Sequence, residues 1–458
     1  VSKKPPTGRL ARMARLGGLT SRVGSSYLAE RVKGAFQDED RRTRALKKLH
    51  IENAEKVVQT MSQMKGAAMK VGQTLGAMVE GMDLPPEVAR TLGQLNDKAE
   101  PVPWSIIRAD VQASLDVDLD SCFDRFDPQP LGTASLGQAH AARLKDGTPV
   151  VVKVLHRGID GSVESDLAAL RSMFITGKLL RRDKAEIEAV FAEVQARLLE
   201  ELDYVSEAAN LAYFQRAVGD QRGLRVPRTY PELCTERVLT MDHLPGLPID
   251  TFLAIATDDA KQRAGRVLAR NFHHMVYVLR TLHADPHCGN FLFEPSGRVG
   301  LLDFGCVKRF DEHWVARYAN AGMAAVEGRR ADTLEVLRDL DCLRSRRPEA
   351  EDAIWRLCDV MTTPFRTDRY TAGGPTDTVQ DQANRLLPRI LRYPEIQAAP
   401  NVVYLNRALT GIYAVLRRLG LEADYRELFY LHARHAVAVA EGRTPDGSHG
   451  APPLLPLD

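Results

Sequence analysis

Asp285, Asn290 and Asp303 are the side chains whose types and spacing could do chemistry. They lie in His283-Ala284-Asp285-Pro286-His287-Cys288-Gly289-Asn290 and in Leu301-Leu302-Asp303-Phe304-Gly305. Asp285 and Asn290 are five residues apart, and Asp303 follows Asp285 by 18. Two short strands, Phe291–Phe293 and Val299–Leu302, are expected between them, joined by a turn at Pro295–Gly297. Phosphoryl transfer needs two oxygen ligands to hold Mg²⁺ across the phosphates of ATP, a role suited to Asn290 and Asp303. It also needs a group opposite them that orients the attacking hydroxyl or water, a role suited to Asp285. Asp-Phe-Gly alone arises readily by chance; the spacing, the hairpin and the apolar flanks together do not.

Lys153 sits in Val150-Val151-Val152-Lys153-Val154-Leu155. An ammonium group in such a strand is costly if buried alone, so it is predicted to meet a carboxylate and a phosphate. Glu207 is the candidate carboxylate, and the 54-residue separation implies inserted helices. A loop covering the phosphates is expected within Pro130–His140, where Thr133, Ala134, Ser135, Gly137 and Gln138 include the small residues that let backbone approach phosphate. It is not a Gly-x-Gly-x-x-Gly. Met241–Leu244, ahead of Pro245-Gly246, is expected to be the hinge to adenine.

The elements that must position these groups are partly visible. His140–Leu144 and Pro149–Leu155 read as strands joined at Asp146-Gly147, a strong hairpin signal. Helical periodicity covers 46–80, 104–116, 184–215 and 258–284, with Val238–Met241 as a short strand. The chain to about 440 is helical in pattern, and Gly442–Asp458 reads as a loose tail. The expected organisation is a basic segment (1–45), a helical extension (46–125), an N-lobe (126–244), a C-lobe (245–441) and the tail. The predicted fold class is α+β, two-lobed.

Composition bounds the possibilities. The 458 residues are 27% charged and 44% hydrophobic, as in a globular protein, with a net charge of +2. That balance argues against a dedicated nucleic-acid binder. No apolar run reaches the ~18 residues of a spanning helix, and no signal peptide is visible. Six scattered cysteines, without C-x-x-C or zinc spacing, fit reduced thiols and a cytoplasmic protein. Cys288 and Cys306 fall near the expected nucleotide, but nothing in the sequence flags a reactive thiol. The first 34 residues carry eight Lys/Arg against Glu30 alone, with Leu10, Met13, Leu16, Leu19 and Val23 at helical spacing. This segment reads either as a helix docked on the body or a frayed terminus, or as a peripheral anchor on anionic lipid.

With these motifs in hand, the chain resembles the UbiB/AarF family of atypical, protein-kinase-like proteins from about Lys70 to Phe310. Lys70-Val71-Gly72-Gln73 matches the family's Lys-x-Gly-Gln, and Thr133–His140 is similar to its Ala-rich nucleotide loop. Glu201-Leu202-Asp203 matches its Glu-x-Asp, and His283–Asn290 with Asp303–Gly305 match its catalytic and metal loops. The resemblance implies that Lys70 and Gln73 lie over the active site, held by Glu201 and Asp203, and obstruct a peptide substrate. It implies ATP hydrolysis, autophosphorylation or work on small or lipid-linked molecules, including a quinone precursor. On one regular helix Glu201 and Asp203 stand about 200° apart, so both can reach one loop only if the helix begins or bends there. Gly132-Thr133 stand where the family has consecutive alanines. The C-terminal membrane spans of some members are not seen, so a membrane role is expected to be peripheral or through a partner.

Three functions remain open on the sequence. They are an Mg²⁺-dependent ATPase or atypical kinase in isoprenoid-quinone or other lipid metabolism, a small-molecule phosphotransferase, and a nucleotide-binding scaffold without turnover.

Overall fold

The computed structural model describes residues 101–133, 136–157, 184–218, 223–397 and 399–443, with a few short pieces between 17 and 171. Lys70, Gln73, Ala134, Ser135, most of the basic segment and of the expected helix over 46–80, and the tail from 444 lie outside the described residues. The chain folds as two compact units. One holds the residues through Ala208 together with Thr229–His243; the other holds Ala209–Arg228 together with the chain from Leu244.

The first unit is built on a four-stranded antiparallel sheet in the order β1-β2-β3-β5. The strands are β1 (Phe123–Thr133), β2 (Gly137–Leu144), β3 (Pro149–Leu155) and β5 (Val238–Asp242). α1 (Trp104–Leu115) and the single turn α2 (Leu119–Cys122) precede the sheet, and α3 (Lys184–Glu201) and the start of α4 (Tyr204–Val218) follow β3. Alternation along β3 sorts its side chains: Val150, Val152 and Val154 enter a core with Ile107, Val111, Leu119 and Phe123, while Val151 and Lys153 take the other face. The Asp146-Gly147 turn closes the β2–β3 hairpin as expected, with Gly147 at a φ of 89°.

The sequence pattern does not predict β1. Its Pro128 and Pro130 argue against a central strand, yet β1 lies at the sheet edge, where a missing N–H costs no ladder bond. The helix expected over 184–215 is two helices, interrupted at Leu202–Asp203. Asp203 causes the break: its carboxylate accepts from the Ser206 N–H (2.9 Å) and the Ser206 hydroxyl (2.6 Å), starting α4 as an N-cap.

The second unit begins within α4 and continues with β4 (Leu224–Arg225), α5 (Ile249–Ile255) and α6 (Asp258–Tyr277). α6 is capped by Thr257, which accepts from the Ala260 N–H. It stops at Tyr277 rather than running to 284, because Thr281–His283 form β6, which pairs with β9 (Val307–Arg309). Between these lies the β7 (Phe291–Phe293) and β8 (Val299–Leu301) hairpin, with β8 also parallel to β4. Helices complete the unit: α7 (Glu312–Val326), α8 (Arg330–Asp339), α9 (Pro348–Met361), α10 (Val379–Ile390), α11 (Pro400–Leu419) and α12 (Tyr425–Ala440). The two-residue strands β10 (Tyr370–Thr371) and β11 (Glu422–Ala423) pair beside them.

Candidate functional site

In the first unit, Lys153 Nζ meets Glu207 Oε1 at 2.5 Å. The ammonium-bearing side chain is 17% exposed and the carboxylate side chain 5%, so the pair is largely withdrawn from water. β3 turns Lys153 away from the α1 core, and the cap at Asp203 sets where α4 begins, which fixes the position of Glu207 in its first turn. The Ser206 hydroxyl and N–H also hold the Asp203 carboxyl below its usual range. Asp203 and Glu201 are both exposed.

The loop residues of this unit have definite local roles. Thr133 ends β1, paired with Gln138. A Cβ on Gly137 would lie 2.5 Å from the Val154 carbonyl oxygen and 3.3 Å from the Tyr204 hydroxyl, so only glycine lets β2 meet β3 there. The Gln138 side chain is buried: its Oε1 accepts from the Val102 N–H at 2.9 Å, and its amide donates to His140 Nε2 at 2.8 Å. His140 Nδ1 donates to the Asp127 carbonyl, and burial pushes this imidazole's pKa down. What Gln138 offers a ligand is therefore backbone. Met241 is 3% exposed and bridged to both Val151 and Thr229, so it too has no side chain on offer, whereas Leu244 is half-buried.

In the second unit, the β6–β9 pair and the β7–β8 hairpin bring Asp285, Asn290 and Asp303 into one hydrogen-bonded arrangement. The Ala284 N–H donates to the Cys306 carbonyl, and the Leu302 N–H to the Asn290 carbonyl, both at 2.9 Å. Asn290 Nδ2 donates to the Asp285 carbonyl at 2.8 Å, which leaves its Oδ1 as the atom suited to a cation. The Asp303 Oδ1 accepts from the Gly305 N–H at 3.0 Å. His283 is buried, its pKa lowered by desolvation, and its Nε2 donates to the Asp303 carbonyl. Phe304 is fully buried between His283 and Phe214, and its carbonyl accepts from Asn210 Nδ2 at 3.1 Å. The loop between is tied to itself: the His287 N–H donates to the Asp285 carbonyl, and His287 Nδ1 accepts from the Gly289 N–H.

Among the described residues no group of three or more His, Cys, Asp or Glu could hold a metal ion. The site instead offers one amide oxygen and one carboxylate. That set fits Mg²⁺, which keeps few protein ligands and takes the rest from substrate phosphates and water.

Sequence reasoning missed Arg407. It lies on α11, 122 residues beyond Asp285, and its Nη2 meets Asp285 Oδ1 at 2.5 Å. No motif marks it; only the packing of α11 reveals it.

No helix among the described residues is long and apolar enough to cross a membrane. A family model, the ABC1 atypical kinase-like domain, matches residues 94–337. The chain is 30% identical over 441 residues to the atypical kinase COQ8B, mitochondrial, of Rattus norvegicus, across 93% of this chain and 81% of that protein. It is 26% identical over 431 residues to the atypical kinase COQ8, mitochondrial, of Saccharomyces cerevisiae, across 93% and 85%. A solved structure with the same fold is that of Rv3197 from Mycobacterium tuberculosis in complex with erythromycin. It has a TM-score of 0.58 at 24% identity and covers 86% of this chain and 98% of that one. The α+β, kinase-like architecture and its relatives together place the chain in the ABC1, or UbiB/AarF, family of atypical kinases.

Proposed function

We propose that the chain binds Mg²⁺-ATP and hydrolyses it or transfers its terminal phosphoryl group, in support of isoprenoid-quinone or other lipid metabolism. The observation that carries this reading is the Lys153–Glu207 pair. A buried ion pair is a poor way to stabilise a fold, so its presence argues for a task, and holding the α/β phosphates is the task that suits it. Asn290 and Asp303 are assigned to Mg²⁺, which when bound neutralises charge on the phosphates. Asp285 is assigned to orient the attacking hydroxyl or water. The Thr133–Gln138 segment, with Ala134, Ser135 and Gly137, is assigned to cover the phosphates through its backbone, and Met241–Leu244 to meet adenine. Lys70, Gln73, Glu201 and Asp203 are assigned to regulation, following the family resemblance.

The quinone or lipid link, and peripheral membrane contact through the basic N-terminal segment, rest on that same resemblance. No nucleic-acid partner is proposed.

The test is ATP turnover with and without Mg²⁺, anionic liposomes and a phenolic quinone-precursor analogue. Metal-dependent turnover that is lost in Asp303→Asn supports the assignment, and turnover unchanged in that variant overturns it. Stimulation by the liposomes or the analogue supports the lipid link. Strong phosphorylation of a soluble metabolite points instead to a small-molecule kinase.

A further inference from the structure

α11 lies along the loop that carries Asp285. Arg407 Nη2 meets Asp285 Oδ1 at 2.5 Å. Gly411 rests on the next residue: a Cβ there would come within 2.7 Å of Pro286 Cγ and 3.1 Å of the Pro286 carbonyl oxygen. Arg418 pairs with Asp250 and brings Nη1 to 3.9 Å from Cys288 Sγ. Tyr404 extends the same line, with Lys308 of β9 5.2 Å from its ring centroid. At 100° per residue, positions 404, 407, 411 and 418 fall within about 60° of one another, so they form one stripe of the helix. The adjoining stripe, with Leu405, Ala408, Ile412, Val415, Leu416 and Leu419, is buried and pins the helix in the unit.

We propose that Arg407 is a positioning residue for phosphoryl transfer, holding the Asp285 carboxylate in its working orientation while Gly411 admits the helix against Pro286. This assignment rests on the function proposed above. One carboxylate oxygen of Asp285 is tied to Arg407, and the other stands 3.5 Å from Asn290 Nδ2. The carboxylate thereby lies between a guanidinium, which holds it firmly, and the amide assigned above to the metal. The Arg407 and Asp285 side chains are 31% and 41% exposed, and a pair this open to water contributes little to stability. Orientation is the property such a contact can supply. Small displacements at a reacting group cost large factors in rate, because this chemistry depends on placement rather than on bond-making by the protein.

The test compares the full chain with Arg407→Met, Arg407→Lys and Gly411→Ala for ATP turnover, KM for ATP and thermal unfolding. Arg407→Met is expected to lower kcat on the order of 100-fold. Its KM for ATP should stay within about twofold and its unfolding midpoint within about 3 °C of the parent. Arg407→Lys keeps one cation and should recover kcat to within about tenfold of the parent. Gly411→Ala should lower kcat although alanine is the better helix former. An active parent with Arg407→Met turning over at the same rate or faster overturns the assignment. So does a rise in KM that accounts for the whole loss, which would make Arg407 a nucleotide-binding residue. A parent inert towards Mg²⁺-ATP overturns the proposed function and this assignment with it.

Discussion

Lys153 illustrates how one residue type in one setting constrains its surroundings. Burying an ammonium group without a partner is unfavourable, so a lysine among valines predicts a carboxylate, and Glu207 supplies it at 2.5 Å. The same physics sets the cost of removing that carboxylate. Glu207→Ala removes the carboxylate from a largely buried cation and should destabilise the chain by at least about 1 kcal/mol. Denaturant midpoints would show it, and a smaller loss would mean that water or other groups satisfy Lys153 in place of Glu207. Turnover should fall in Glu207→Gln too, where the amide keeps the shape but not the charge. The residue type predicted a partner and the sequence named Glu207 as the candidate; the approach of α4 to β3 is what brings the two together.

The break between α3 and α4 belongs to the scale of elements. Apolar periodicity runs through 184–215 without interruption, so the sequence pattern reads as one helix. The local hydrogen bonds of Asp203 to Ser206 outweigh that continuity and start a new helix. The requirement that the helix begin or bend near Glu201 and Asp203 is therefore met, by capping. Two variants separate capping from the regulatory role assigned to Asp203. Asp203→Ala removes the cap and should cost about 1 kcal/mol of stability, whereas Asp203→Asn, itself a good cap, should leave stability nearly unchanged. A change in ATP turnover in Asp203→Asn at unchanged stability would mark a role for the charge. The same turnover in parent and Asp203→Asn would confine Asp203 to capping.

For the molecule as a whole, buried histidines set how it responds to acid. His273 on α6 is 7% exposed, donates from Nδ1 to the Ala269 carbonyl at 2.8 Å, and lies among His432, Phe429 and Tyr277. Burial lowers its pKa from 6.5 to about 4. Above pH 6.5 it is neutral in both the folded and the unfolded chain, and stability is unaffected. As pH falls below 6.5 the unfolded chain takes up the proton first, so stability falls, by about 2 kcal/mol at pH 5 from this residue. His140, His283 and His435, also lowered by burial, act in the same direction. Urea unfolding at pH 7 and pH 5 should show His273→Phe losing less stability than the parent; an equal loss in both would place the acid sensitivity elsewhere.

The sequence by itself singled out the candidate side chains, Lys153, Asp285, Asn290 and Asp303, and the hairpin spacing that sets Asp303 behind Asn290. It determined β2, β3, β7 and β8 closely, because the Asp146-Gly147 and Pro295–Gly297 turns are local signals that short-range sterics enforce. Tertiary structure decided what local pattern cannot encode. The edge position of β1 makes its prolines tolerable, the shift from α6 into β6 exists because β9 is there to pair with it, and the approach of α11 delivers Arg407 to Asp285. In each case the deciding partner lies elsewhere along the chain. Such a contact forms only after the chain has closed a loop between the two, so no short window of residues contains it.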